Sequence, residues 1–135
     1  MANECSVYYN KVIAALTEAD IVQPEQVFWA GVFAGICEQV MMKVKPAGMV
    51  TSYSPQAEES SRIVADTYKL HRERLDKSAG GFEIWVCRPD DAETQRDIAR
   101  LMAGGLDWGE YHALRGRLCG YTDDVIRTYT EGVWP

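Results

Sequence analysis

At 135 residues and 15.2 kDa, with 47% hydrophobic residues, the chain can bury one continuous core and matches the commonest size of a single domain, taken here as residues 1–135. Its formal charge of −6 and isoelectric point near 4.9 work against direct binding to nucleic acid or to anionic lipid, both of which need clustered Lys and Arg. A partner with a basic surface suits the balance better.

The opening residues, MANECSVYYNKV, lack a basic stretch followed by an apolar run and a small-residue cleavage site, so no secretory signal is expected. Cys5, Tyr8, Tyr9, Val12, Ile13 and Leu16 then recur at the spacing of one helix face. A second helix is predicted over residues 24–44, with Pro24 at its first position, Lys43 and Lys45 at its negative end and Pro46 as its stop. Its apolar residues cover nearly every face, which predicts the buried centre of the domain. The run VFWAGVFAGIC within it meets Glu38 and is too short to span a bilayer. Ala30/Ala34 and Gly31/Gly35 form small patches that suit close packing of another helix of the chain or the seam of a homodimer.

A short strand is predicted over residues 49–53, followed by Ser54 and Pro55 opening a third helix that reaches about Leu75. His71 falls on the apolar face of that helix, a setting for a hydrogen-bonded core histidine. After Gly80-Gly81 comes the best strand, residues 82–88, with Phe82, Ile84 and Val86 on one side and Glu83, Trp85 and Cys87 on the other. It either pairs in parallel with 49–53 around the third helix or pairs with its own copy across a two-fold axis; the first needs no extra assumption. Three short helices follow. Asp90 with Glu93 and Asp107 with Glu110 have capping-box spacing, Thr122 caps the last helix, and Gly104 and Gly120 stand at helix stops. The fold class is therefore α+β and mainly helical: about six helices around a buried central helix, with a small two-stranded element.

The densest set of reactive side chains is DWGEYHALRGRLCGY, residues 107–121. On a helical wheel Trp108, Tyr111, Leu114, Leu118 and Cys119 share one side, opposite Glu110, Ala113 and Arg117. Arg115 projects from that apolar stripe, with His112 at its edge. A guanidinium in such a place needs a partner: either a carboxylate or helix C-terminus inside the domain, or an acidic group presented in a cleft or by another protein.

Cys5, Cys37, Cys87 and Cys119 lie far apart on apolar faces, which predicts free thiols in a reducing, cytoplasmic setting. With two histidines and no close cysteine pair, no metal site and no cofactor is predicted. Cys87 with His71 or His112 is a nucleophile–base pairing that spacing alone does not show, and a cysteine on such a strand is ordinarily core, so no catalytic residue is assigned. No phosphate-loop, dinucleotide or nucleophile-elbow motif is present.

Two functional expectations follow. From Phe82 onward there are ten acidic and six basic residues, a balance of −4. The C-terminal helices then form the docking face of a non-enzymatic protein that occupies a partner's basic surface, with Arg115, Asp91, Asp97 and Asp124 as contact residues. In general character such a small acidic chain resembles accessory proteins of phages and mobile elements, among them inhibitors of host defence, a likeness carried by size and charge and by no motif. The alternative is a nucleotide- or anionic-metabolite-binding protein: parallel pairing sets Ser52, Tyr53, Ser54 and Arg88 at one sheet edge, facing two helix N-termini.

Overall fold

The computed structural model describes the backbone of residues 4–21 and 23–132, and the side chains of the same residues except 4–7 and 9. Six helices and three strands follow in the order α1 (Glu4–Glu18), α2 (Pro24–Met41), β1 (Ala47–Ser52), α3 (Pro55–Tyr68), β2 (His71–Asp76), β3 (Phe82–Cys87), α4 (Ala92–Ala103), α5 (Trp108–Leu118) and α6 (Asp123–Thr130). The fold is α+β and predominantly helical. No helix among the described residues is long and apolar enough to cross a membrane.

The strands make one sheet in the order β1-β3-β2, and both pairings are antiparallel. The expected parallel unit is thus corrected in two respects. Ala47 pairs with Cys87 and Ser52 with Phe82, so β1 runs against β3. The segment assigned to the end of the third helix is itself a strand, β2, which pairs with β3 from His71↔Cys87 to Asp76↔Phe82. Helix α3 stops because Lys69 turns left-handed (φ 57°) and the Leu70 amide donates to the Ala65 carbonyl. Beyond that point HRERLD has no apolar period to continue a helix, while β3 offers an unpaired strand edge beside it. Arg72, Glu73, Arg74 and Asp76 keep that outer strand charged, as suits an edge.

Alternation along β3 then builds three layers. Phe82, Ile84 and Val86 point to one side, into a core with Val12 and Leu16 of α1, Phe33 and Cys37 of α2, and Val64 and Tyr68 of α3. Trp85 and Cys87 point to the other, against Ile98 and Leu101 of α4 and Leu114 and Leu118 of α5. Every residue of β3 is buried. Strand β3, not helix α2, is the centre of the molecule.

Helix α2 buries only Ala30, Phe33, Ala34, Cys37 and Val40, and leaves Val27, Phe28 and Val32 exposed, so its expected burial on all sides does not hold. Ala30 and Ala34 do pack inside the chain, whereas Gly31 and Gly35 face open space. Its C-terminus is closed by Lys43 in a left-handed turn (φ 61°) and by Arg88, whose Nη1 donates to the Val40 carbonyl at 2.9 Å. Cys37 and Cys87 are buried free thiols and Cys119 a half-buried one; Cys5 lies outside the described side chains.

Candidate ligand-binding cleft

Glu83 is the one acidic residue of β3, and its side chain is 0% exposed. Strand alternation forces it onto the face shared by Trp85 and Cys87, under α5, because Phe82 and Ile84 must face the opposite core. An isolated carboxylate there would be very costly, and three donors answer it. Trp85 Nε1 donates to Glu83 Oε1 at 3.2 Å, while Oε2 is shared by Lys77 Nζ at 3.3 Å and Arg115 Nη1 at 2.9 Å. Arg115 Nη1 also donates to the Tyr111 hydroxyl at 2.9 Å. Burial works against the charge of Arg115, but Glu83 and Tyr111 outweigh it and raise its pKa.

Of the two partners expected for Arg115, the carboxylate inside the domain is therefore present. The arginine is nevertheless 24% exposed and lines an open cleft of about 650 Å³. Met49 of β1 forms one wall, His112 and Gly116 of α5 with its C-cap Cys119 the second, and Tyr121, Val125, Ile126 and Tyr129, before and on α6, the third. The third wall can approach because position 116 has no side chain: a Cβ there would sit 2.8 Å from Ile126 Cγ1. Asp107 and Thr122 start α5 and α6 by accepting hydrogen bonds from the Glu110 and Val125 amides, as expected. Gly120 (φ 84°) turns the chain between them.

Trp108 departs from the expected core stripe. It is 55% exposed and stacks on Tyr129, with ring centroids 5.5 Å apart, while His112 touches both rings and the edge of Tyr111. His112 is thus part of an aromatic rim. Burial pushes the Cys119 thiol up, away from the thiolate form a nucleophile requires. Cys87 is likewise raised, to about 12, by burial and then by Asp91 and Glu73. His71 stands on β2, not on a helix, and its Nε2 lies 3.4 Å from Glu73 Oε1.

The other expected residues are placed as follows. Ser52, paired with Phe82, and Arg88, just past Cys87, stand at opposite ends of β3, about 20 Å apart at the rise of an extended strand, so the ligand edge built from parallel pairing is not formed. Ser52 is buried and its Oγ accepts from the Ser54 amide; Ser54 Oγ meets Glu25 and Gln56; Tyr53 is 76% exposed. Arg88 is used by Val40 and by Asp91, 3.4 Å away. Asp91 is the N-cap of α4, one residue later than the predicted Asp90, accepting from both the amide and the hydroxyl of Thr94. Asp97 and Arg117 line a smaller surface groove of about 300 Å³. Asp124 is exposed and pairs with Arg127. Asp91 lines the same groove as Asp97, whereas Arg115 lines the larger cleft.

The sequence reading missed Glu83 and Lys77, although a single carboxylate inside an otherwise apolar strand was a signal to pair it with the lone arginine of an apolar stripe. The cleft walls from α6 depend on how two helices cross, which no local pattern specifies. Among the described residues no group of His, Cys, Asp or Glu could hold a metal ion. Neither a protein family, nor a curated protein, nor a solved structure matches the chain.

Proposed function

We propose that this is a small-molecule-binding protein whose ligand occupies the cleft between β1, α5 and α6. The observation that supports this reading is the combination of apolar walls, a volume of about 650 Å³ and one convergent cation, Arg115, locked in place from behind by a fully buried carboxylate. Ligand pockets commonly span about 300–1,000 Å³ and join an apolar lining to a few fixed polar groups. Lost side-chain entropy would weaken a loose arginine; this one is already ordered. The test is a thermal-shift series with small aromatic compounds of differing charge. At least one raises Tm by several degrees in the wild type and leaves Val125→Trp, which fills the cleft from its exposed wall, unshifted. A variant that responds like the wild type would place binding elsewhere.

A second reading, docking on a basic protein surface, is supported by the rim. Trp108, Tyr121, Val125 and Tyr129 are exposed large apolar residues, and Asp107, Glu110, Asp123 and Asp124 are exposed on or beside the same two helices. Aromatic anchors ringed by charge suit an interface. Here Tyr121→Ala and Asp124→Lys, both folded by circular dichroism, lose a partner protein that the wild type retains; undiminished recovery with both variants refutes it.

A further inference from the structure

We infer that the cleft selects an organic anion, a carboxylate on an apolar or aromatic body, and that Lys77 sets this selectivity without standing among the residues that line the cleft. The inference rests on the reading of the cleft as a ligand site and names the class of ligand it takes.

The argument is a charge count around one buried oxygen. Glu83 carries one negative charge, and its Oε2 meets two cations, Lys77 at 3.3 Å and Arg115 at 2.9 Å. One unit of positive charge is left over. Lys77 dissipates part of its charge into solvent, being 38% exposed, while Arg115 turns toward the cleft. All the protein hydrogen bonds of Arg115 pass through Nη1, to Glu83 and Tyr111, so Nε and Nη2 keep donors with no protein acceptor among the described residues. These two atoms are the geometry of a bidentate carboxylate grip.

The cleft lining agrees. In a chain of net charge −6, not one Asp or Glu is among the residues that line it, and the only fixed charge there is Arg115. Met49, Val125, Ile126 and the rings of Tyr121 and Tyr129 offer an apolar surface to the rest of the ligand. A cationic ligand finds no partner, and a neutral hydroxyl offers the two guanidinium donors one uncharged acceptor in place of two charged ones, which costs affinity.

Three probes that share one body and differ only in the head group read the selectivity: 3-phenylpropionate, 3-phenylpropan-1-ol and 3-phenylpropylamine, titrated into the full chain by calorimetry. The carboxylate binds about tenfold or more tighter than the alcohol, the size expected for a charge-assisted bidentate pair, and the amine binds least. In Lys77→Met the surplus cation is gone, so Glu83 neutralises Arg115 fully, and the preference for carboxylate over alcohol falls severalfold while alcohol affinity stays unchanged. Glu83→Gln removes the neutralising charge and widens the preference. Lys77→Met leaves Trp85 and Arg115 on Glu83, and circular dichroism with a melting curve establishes that the variant is folded before the titrations are compared. Equal binding of carboxylate and alcohol, or a Lys77→Met protein that keeps the full preference, overturns the anion inference and leaves the cleft as a ligand site. No binding of any probe overturns both.

Discussion

Two carboxylates eight residues apart have opposite fates. Glu83 is sealed under α5 and held by Trp85, Lys77 and Arg115, so its charge survives only because three donors converge on it. Asp91 sits at the surface, and its value is local. Its side chain accepts from the Thr94 hydroxyl and amide and lies beside Arg88, which together hold its pKa below the ordinary carboxylate range. A carboxylate with a depressed folded pKa stabilises the protein above its unfolded value of about 3.9 and loses that contribution as pH falls through the lowered one. Asp91→Ala should therefore cost about 1 kcal/mol in urea unfolding at pH 7, the usual worth of an N-cap. The gap to wild type should narrow below pH 4 as the native carboxyl protonates. A gap that stays constant with pH would show that packing, not charge and capping, carries the effect. By the same geometry, reversing the charge of Asp91 costs stability, whereas Asp124, whose exposed side chain pairs with Arg127, tolerates reversal with little loss.

At the scale of elements, the legible parts were those written in local chemistry. Pro24 and Pro55 open α2 and α3, Asp107 and Thr122 cap α5 and α6, and the alternation of FEIWVC gives β3 and its two faces. Each of these signals acts within four residues of where it is read. What failed depended on partners far along the chain. HRERLD has neither helical nor strand periodicity of hydrophobicity, and it is a strand because β3 lies beside it, joined through Gly80-Gly81. Strand direction failed for the same reason. A right-handed parallel unit accounted for β1, α3 and β3 with no extra assumption, but β2 takes the position beside β3 that immediately follows the turn, and β1 then joins the far edge antiparallel. The exposed side of α2 shows the limit of hydrophobic periodicity: an apolar residue such as Phe28 can stand on the surface as well as in the core. For the candidate site, Arg115 was legible as an anomaly and its carboxylate was not. Those two residues lie 32 positions apart, and only the strand-on-helix packing brings them together.

Across the described residues, burial falls from strand β3 outward to helix α6, which forms one wall of the cleft. Strand β3 is paired on both edges and buried on both faces, so its amides should exchange with solvent only through global unfolding. Helix α6 is the opposite case: eight residues long, with Ile126 its one buried residue, seated over Gly116 of α5. Such an element opens locally at a small fraction of the global free energy. Hydrogen exchange followed by mass spectrometry should thus rank β3 slowest and α6 among the fastest of the helices, with α5 between them because Leu114 and Leu118 anchor it to the sheet side. Gly116→Ala sharpens the test. A methyl group 2.8 Å from Ile126 Cγ1 displaces a β-branched side chain that has little freedom to give way, so α6 exchange should accelerate while β3 stays as slow as global stability allows. Since α6 and the turn before it supply Tyr121, Val125, Ile126 and Tyr129 to the cleft, a bound ligand should reverse the ranking locally, slowing α6 toward α5. If Gly116→Ala slows or leaves unchanged the exchange of α6, the helix is held by something other than its seat on α5, and the cleft wall is stiffer than its single buried residue implies.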